Sequence, residues 1–171
     1  MSGLDESLRY VTDGGESRLS MAALVDLLKA VTERGIAFRV QAPGFSMYPF
    51  IRNMDTITIS PFPAAGPRTG DVVAFIKPGT CCLVVHRVIA VTKQGYLIRG
   101  DNTLEPDGLL QRSSILGQVT RVERDGRTVF FGGGQEKSVI AFLSRRGFIS
   151  PSVHMTYRLI SPVFRRIRVW I

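Results

Sequence analysis

The chain has few of the residues that build disulfide frameworks and metal sites. Only two of its 171 residues are cysteines, and they are neighbours, Cys81 and Cys82. Adjacent residues rarely reach disulfide geometry, so we expect both thiols to pack as small apolar groups in a reducing compartment. The two histidines, His86 and His154, lie far apart in the sequence, which disfavours a two-histidine metal site. The sequence therefore predicts neither a metal nor a cofactor.

Signals for crossing a membrane are missing as well. No apolar run reaches about eighteen residues, the length that a spanning helix needs. The first twenty residues carry four acids and lack the apolar segment of a secretory signal. We therefore expect a mobile polar leader over residues 1–18 and a cytoplasmic location.

Acidic residues are absent from residues 137–171, which contain seven lysines and arginines and five aromatic residues. Because the formal net charge of the whole chain is +8, the rest of the chain is nearly neutral. A basic aromatic segment suits the surface of an anionic membrane, since apolar burial and attraction to lipid phosphate add, and would place the protein peripherally at the inner face. Such a segment would also suit nucleic acid, which we consider a less favoured partner. A helical appendage with a solvated basic face is the competing interpretation.

One helix is predicted near the start of the chain. Four apolar residues recur at helical spacing, namely Leu24, Leu27, Leu28 and Val31. Ser20 is a suitable N-cap and Gly35 a suitable stop, so the helix should cover about residues 20–34.

Beyond that helix, short β-branched and aromatic runs alternate with turn signals. The predicted strands are 38–41, 56–59, 72–76, 83–91, 96–99, 116–124 and 128–131. Asp125-Gly126 should join the last two as a hairpin. The pattern predicts a mainly β fold, a coiled antiparallel sheet or barrel, over a single domain at residues 19–136. Residues 137–171 would follow as a basic, helical appendage.

Two segments carry candidate catalytic side chains. Ser46 stands between Gly44 and Pro49, so its hydroxyl should be displayed on a tight loop, although most loop serines only bind local backbone. His86 lies within a β run. A neutral imidazole has an acceptor nitrogen that suits a general base, and a histidine satisfied within the core is an equal alternative.

A third segment supplies acids that could orient a histidine. Residues 99–108 follow a strand and include Asp101 and Asp107. An acid there can hold an imidazole through its second nitrogen and stabilise the imidazolium that forms on proton transfer. Such residues are also common turn formers.

Together, four segments resemble the successive boxes of the type I signal peptidase superfamily, in order and spacing. They are residues 44–49, 70–75, 86–89 and 99–102, and the resemblance covers about residues 38–124. A histidine at position 86, where many members have lysine, resembles the branch that uses a histidine base. The resemblance implies Ser46 as nucleophile and His86 as general base. It favours Asp107 as the orienting acid, with Asp101 as the second candidate.

The implied activity is that of a serine endopeptidase that removes a leader or propeptide through an acyl-enzyme. A lysine base would require Lys77 or Lys93, and neither stands at the matching position. Gly44 replaces a hydroxyl residue that assists the oxyanion hole in many relatives, so a second donor must come from elsewhere. Two other classes stay open, a non-catalytic module that binds peptide or membrane and an autoprotease that resembles SOS repressors.

Overall fold

A computed structural model describes residues 8–12, 15–19, 21–77, 80 and 82–146. The fold is mainly β, as the sequence predicted. The strands are β1 Leu8–Thr12, β2 Gly15–Leu19, β3 Phe38–Ala42, β4 Asp55–Ser60, β5 Val72–Ile76, β6 Leu83–Thr92, β7 Gly95–Arg99, β8 Gly108–Leu110, β9 Ile115–Arg124 and β10 Arg127–Thr128. The helices are α1 Met21–Glu33 and α2 Lys137–Arg145, with a 3₁₀ turn at Arg112–Ser114. In the part of the chain that the structure describes, neither helix has the length and apolar character needed to cross a membrane.

The main sheet has eight antiparallel strands and is open. Its order is β3-β4-β9-β5-β6-β7-β8, and β10 pairs with β9. Strands β3 and β8 lie at opposite ends of this order and do not pair with each other, so of the two predicted shapes the closed barrel is wrong. Strands β1 and β2 form a separate hairpin, with β1 beside β3, in the region for which the sequence predicted a mobile polar leader.

Strand β5 lies at the centre of the hydrophobic core and is buried on both faces. Val72 and Ala74 pack into a cluster that includes Leu28 of α1, whereas Val73 and Phe75 pack into a second cluster. Successive side chains of a strand point to opposite faces, so a strand with a core on each side reads as a continuous apolar run. This explains why residues 72–76 were predicted with their observed bounds.

Turn chemistry accounts for two further features. Gly35 ends α1 with a φ of 75°, in the left-handed conformation expected of a C-terminal glycine. Asp125 and Gly126 have φ values of 51° and 73°, which suit a two-residue hairpin turn between β9 and β10. Strand β10 is shorter than predicted, and beyond it the carbonyls of Phe131 and Gly132 bind the side chain of Arg87.

Helix α2 is docked on the body of the protein. Lys137 Nζ lies 2.6 Å from Asp71 Oδ1, and Ile140 and Ala141 are buried. Near the other end, the buried Ser144 Oγ accepts a hydrogen bond from Arg99 at 3.2 Å. The predicted basic appendage is thus helical over Lys137–Arg145, and residues 147–171 lie outside the described part of the chain.

Candidate active site

Ser46 lies in the connection between β3 and β4, and hydrogen bonds hold this connection from two sides. Gly44, at a φ of 100°, donates its N–H to Asn53 Oδ1 at 2.8 Å. The carbonyl of Ser46 accepts the N–H of Asn102 at 2.7 Å, and the Asn102 side chain donates to the Phe45 carbonyl at 3.1 Å. The serine loop is therefore fixed to the loop that follows β7.

His86 is positioned by β6 and held by Asp107. Its Nδ1 lies 2.5 Å from Asp107 Oδ2, and the two side chains are only 8% and 7% exposed. Asp107 is placed by its own backbone, because its N–H donates to the Ile98 carbonyl of β7 at 2.9 Å. An ionised carboxylate only accepts hydrogen bonds, so Nδ1 of a neutral His86 carries the proton and Nε2 is left as an acceptor.

Gly100 separates the serine loop from the imidazole with little space to spare. A Cβ atom at this position would lie 2.7 Å from the Ser46 carbonyl oxygen and 2.9 Å from His86 Nε2. Only a residue without a side chain lets the two approach so closely. Nε2, the acceptor nitrogen, therefore lies next to Gly100, whose other close neighbour is the carbonyl of Ser46.

A single cleft of about 470 Å³ is lined by Ser46, His86 and Asp107. The structure thus brings together three residues that the sequence named as candidates. Most of the remaining wall is apolar, and it comes largely from β3, β6 and the serine loop. Representative side chains are Val40, Ala42, Met47, Leu83 and Val85.

Asp101, the second candidate for the orienting acid, binds Arg87 and not the histidine. Arg87 Nε lies 2.9 Å from Asp101 Oδ1, and Nη2 lies 2.8 Å from Oδ2, with both side chains fully buried. Arg87 Nη1 also donates to the carbonyls of Gly70 and Gly132 at 2.9 and 2.7 Å. The pair ties β6 to three other segments of the chain.

Sequence reasoning missed this role of Arg87. A signal was present, because an arginine in an apolar strand needs an acidic partner if the strand is buried. The sequence alone does not say which acid that is, since Asp71, Asp101 and Asp107 all follow or precede neighbouring strands.

Two further residues of the cleft are Lys77, the first of the two lysines weighed as an alternative base, and Cys82. Lys77 Nζ lies 3.9 Å from Asp107 Oδ1, and its side chain is about half exposed, at 52%. Cys82 is a free, half-buried thiol. Lys93, the other candidate lysine, is exposed in the turn between β6 and β7. Within the described residues, no cluster of three or more side chains could hold a metal ion.

Arg99 connects the loop of the catalytic candidates to α2. Burial lowers the pKa of its guanidinium, and the charge of Asp101 partly opposes this effect. The guanidinium donates to Ser144 Oγ of α2 and, at 3.4 Å, to the carbonyl of Leu104. Among the described residues its Nε has no hydrogen-bond partner.

The site joins a serine, a histidine and an aspartate at one cleft, with the acid on one nitrogen of the imidazole. A scan against models of known protein families matched none, and searches of curated proteins and of solved structures returned no match. The chemistry that the site supports therefore follows from its own geometry.

Proposed function

We propose that the protein is a serine endopeptidase of signal peptidase type, which removes a leader or propeptide from a peptide or protein. Ser46 is the nucleophile, His86 the general base and Asp107 the acid that orients it. The observation that carries the proposal is the 2.5 Å hydrogen bond between His86 Nδ1 and Asp107 Oδ2, in a cleft that Ser46 also lines. A buried histidine needed only for packing does not require a carboxylate on one side and an open cleft on the other.

In the proposed reaction, Nε2 of His86 takes the proton of the Ser46 hydroxyl as the oxygen attacks the peptide carbonyl. The tetrahedral intermediate collapses to an acyl-enzyme as His86 returns the proton to the leaving amine. Water then attacks the ester, again through His86, and releases the acid product. Asp107 holds the imidazole in the reactive tautomer and stabilises the imidazolium in both steps.

The oxyanion requires donors near Ser46. Among the described residues, no protein atom accepts the Ser46 N–H, so this group is available to the developing charge. The N–H of Gly44 is not, because it is held by Asn53 Oδ1. A second donor, if used, must come from another group, and such a donor contributes about 10²–10³ in rate.

Two strand segments beside the cleft suit an extended peptide. Within the described main sheet, β3 is paired only with β4, and the separate β1–β2 hairpin lies beside it without pairing to it. Residues 83–86 of β6 are paired only with β5, because β7 joins β6 from Arg87 onward. Both segments line the cleft. Unpaired backbone groups at a strand edge bind an extended peptide by adding a strand, while side-chain pockets select its sequence. The apolar wall favours apolar side chains next to the scissile bond.

The test is labelling of the purified protein with a serine-directed peptidyl electrophile, such as a peptidyl phosphonate with an apolar residue at the reactive end, followed by mass mapping. We expect an adduct on Ser46 in the parent protein. Ser46→Ala should abolish labelling, and His86→Gln should slow it by at least about a thousandfold, since the serine then lacks its base. Ser113→Ala, an exposed serine in the 3₁₀ turn, is the matched control and should label normally.

Labelling that maps elsewhere, or that is unchanged in His86→Gln, would contradict the assignment of the nucleophile and base. A folded protein that reacts with no probe of the series, but binds the same peptides reversibly, would instead support a non-catalytic binding module.

A further inference from the structure

Helix α2 has an apolar face on each side. Residues 137, 140, 141 and 144 point to the body of the protein, where Ile140, Ala141 and Ser144 are buried. Residues 139, 142, 143 and 146 have the same spacing and form the opposite face. A helix that docks on a domain through one face normally presents polar residues on the other. Here the outward side chains are mostly apolar.

The outward face is well exposed. Val139, Phe142 and Leu143 are 60%, 52% and 37% exposed, and the guanidinium of Arg146 lies over the Phe142 ring at 4.6 Å. Arg145 is exposed beside them. We call these five residues the α2 outer face.

We propose that the α2 outer face docks on the surface of an anionic lipid membrane. Membrane docking through this face is independent of the proposed peptidase activity. The three apolar side chains of this face can enter the region where the lipid headgroups meet the acyl chains. Arg145 and Arg146 then stay at the level of the lipid phosphates. The attachment of α2 to the body by Lys137 and Ser144 means that the whole domain would be held at the surface.

Charge favours lipid over a second copy of the chain. Residues 137–171 carry seven basic residues and no acid. A symmetric dimer through the α2 outer face would place Arg145 and Arg146 of both copies in one small interface, and this face has no acid to offset their charge. An anionic lipid surface satisfies the same arginines and covers the apolar side chains. Nucleic acid would satisfy the arginines but leave Val139, Phe142 and Leu143 without a partner.

The test is co-sedimentation of the full chain with vesicles of phosphatidylcholine alone or mixed with phosphatidylglycerol. We expect binding to the anionic vesicles at least about tenfold tighter than to the neutral ones, weakening as salt is raised. The double variant Val139→Ser/Phe142→Ser should lower affinity at least about tenfold. Arg145→Gln/Arg146→Gln should lower it on the order of tenfold and flatten the salt dependence.

Two controls match these changes. Val91→Ser removes a valine of similar exposure, 48%, from β6, and Arg34→Gln/Arg127→Gln removes two exposed arginines from the body. Both should bind anionic vesicles like the parent chain. Because all the substituted side chains point outward, the thermal unfolding of every variant should match the parent, which separates lost docking from lost folding.

Three results would overturn the proposal. One is equal binding of the parent and Val139→Ser/Phe142→Ser. Another is a dimer, seen by sedimentation equilibrium, that this variant converts to a monomer while neither protein binds vesicles. The third is binding of a short DNA duplex, tighter than that of vesicles, which is lost in Arg145→Gln/Arg146→Gln but kept in Val139→Ser/Phe142→Ser.

Discussion

His86 and Asp107, 21 residues apart in the chain, are joined by a 2.5 Å hydrogen bond between Nδ1 and Oδ2. Asp101 lies in the same loop as Asp107, yet both of its oxygens bind Arg87. The loop after β7 therefore supplies two carboxylates with separate partners. Asp107 lines the cleft, whereas Asp101 is buried in the interior. We therefore expect substitution of Asp107 to affect reactivity and substitution of Asp101 to affect stability.

Asp107→Asn should lower the rate of Ser46 labelling by about 10⁴-fold. An asparagine amide can donate to Nδ1 and so favour the tautomer in which Nε2 carries the proton and cannot act as a base. The second-order rate constant with the peptidyl electrophile measures the effect. Asp26→Asn, an exposed aspartate of α1, serves as the control and should label at the parent rate. A loss of less than about tenfold in Asp107→Asn would show that the carboxylate does not orient the base.

Asp101→Asn should destabilise the fold by about 3 kcal/mol, because it leaves the buried guanidinium of Arg87 without a counter-charge. Urea unfolding measures the change in the free energy of unfolding. A change below about 1 kcal/mol would mean that the carbonyls of Gly70 and Gly132 suffice to hold Arg87.

Gly100→Ala should impair labelling more than its effect on stability explains. The added Cβ would press on the Ser46 carbonyl and on His86 Nε2, at 2.7 and 2.9 Å, and must push the serine loop and the base apart. We expect at least about a hundredfold loss of labelling rate, since misplacement by about 1 Å has that effect on catalysis. Gly126→Ala is the control, because its φ of 73° strains an alanine by about 1 kcal/mol in a turn with open space around it. It should lower stability and leave labelling intact.

Lys77→Met separates a histidine base from a lysine base. Lys77 Nζ lies 3.9 Å from Asp107 Oδ1 and is half exposed, so its removal should change the labelling rate by less than about tenfold. Lys93→Met, an exposed lysine outside the cleft, should have no effect. A loss in Lys77→Met as large as that in His86→Gln would instead assign the base to a serine–lysine pair.

Local patterns predicted much of the fold. The apolar spacing and Gly35 gave bounds for α1 close to Met21–Glu33, and six predicted strands lie within one residue of the observed ends. Strand β8 was missed because three residues are too few to show a period. The hairpin of β1 and β2 was missed because β2, with the sequence GESRL, has few residues typical of strands.

The sequence by itself determined which segments are strands and that Ser46 and His86 sit in a turn and a strand, because these features depend on neighbouring residues. Tertiary structure alone decided that the sheet stays open, since closure depends on whether β3 and β8 meet. It also decided that Asp107 reaches His86 while Asp101 binds Arg87. Local sequence patterns cannot distinguish two carboxylates that lie six residues apart in one turn-rich loop. What separates them is the tether of the Asp107 N–H to β7 and the buried charge of Arg87, which come together only when distant strands pair.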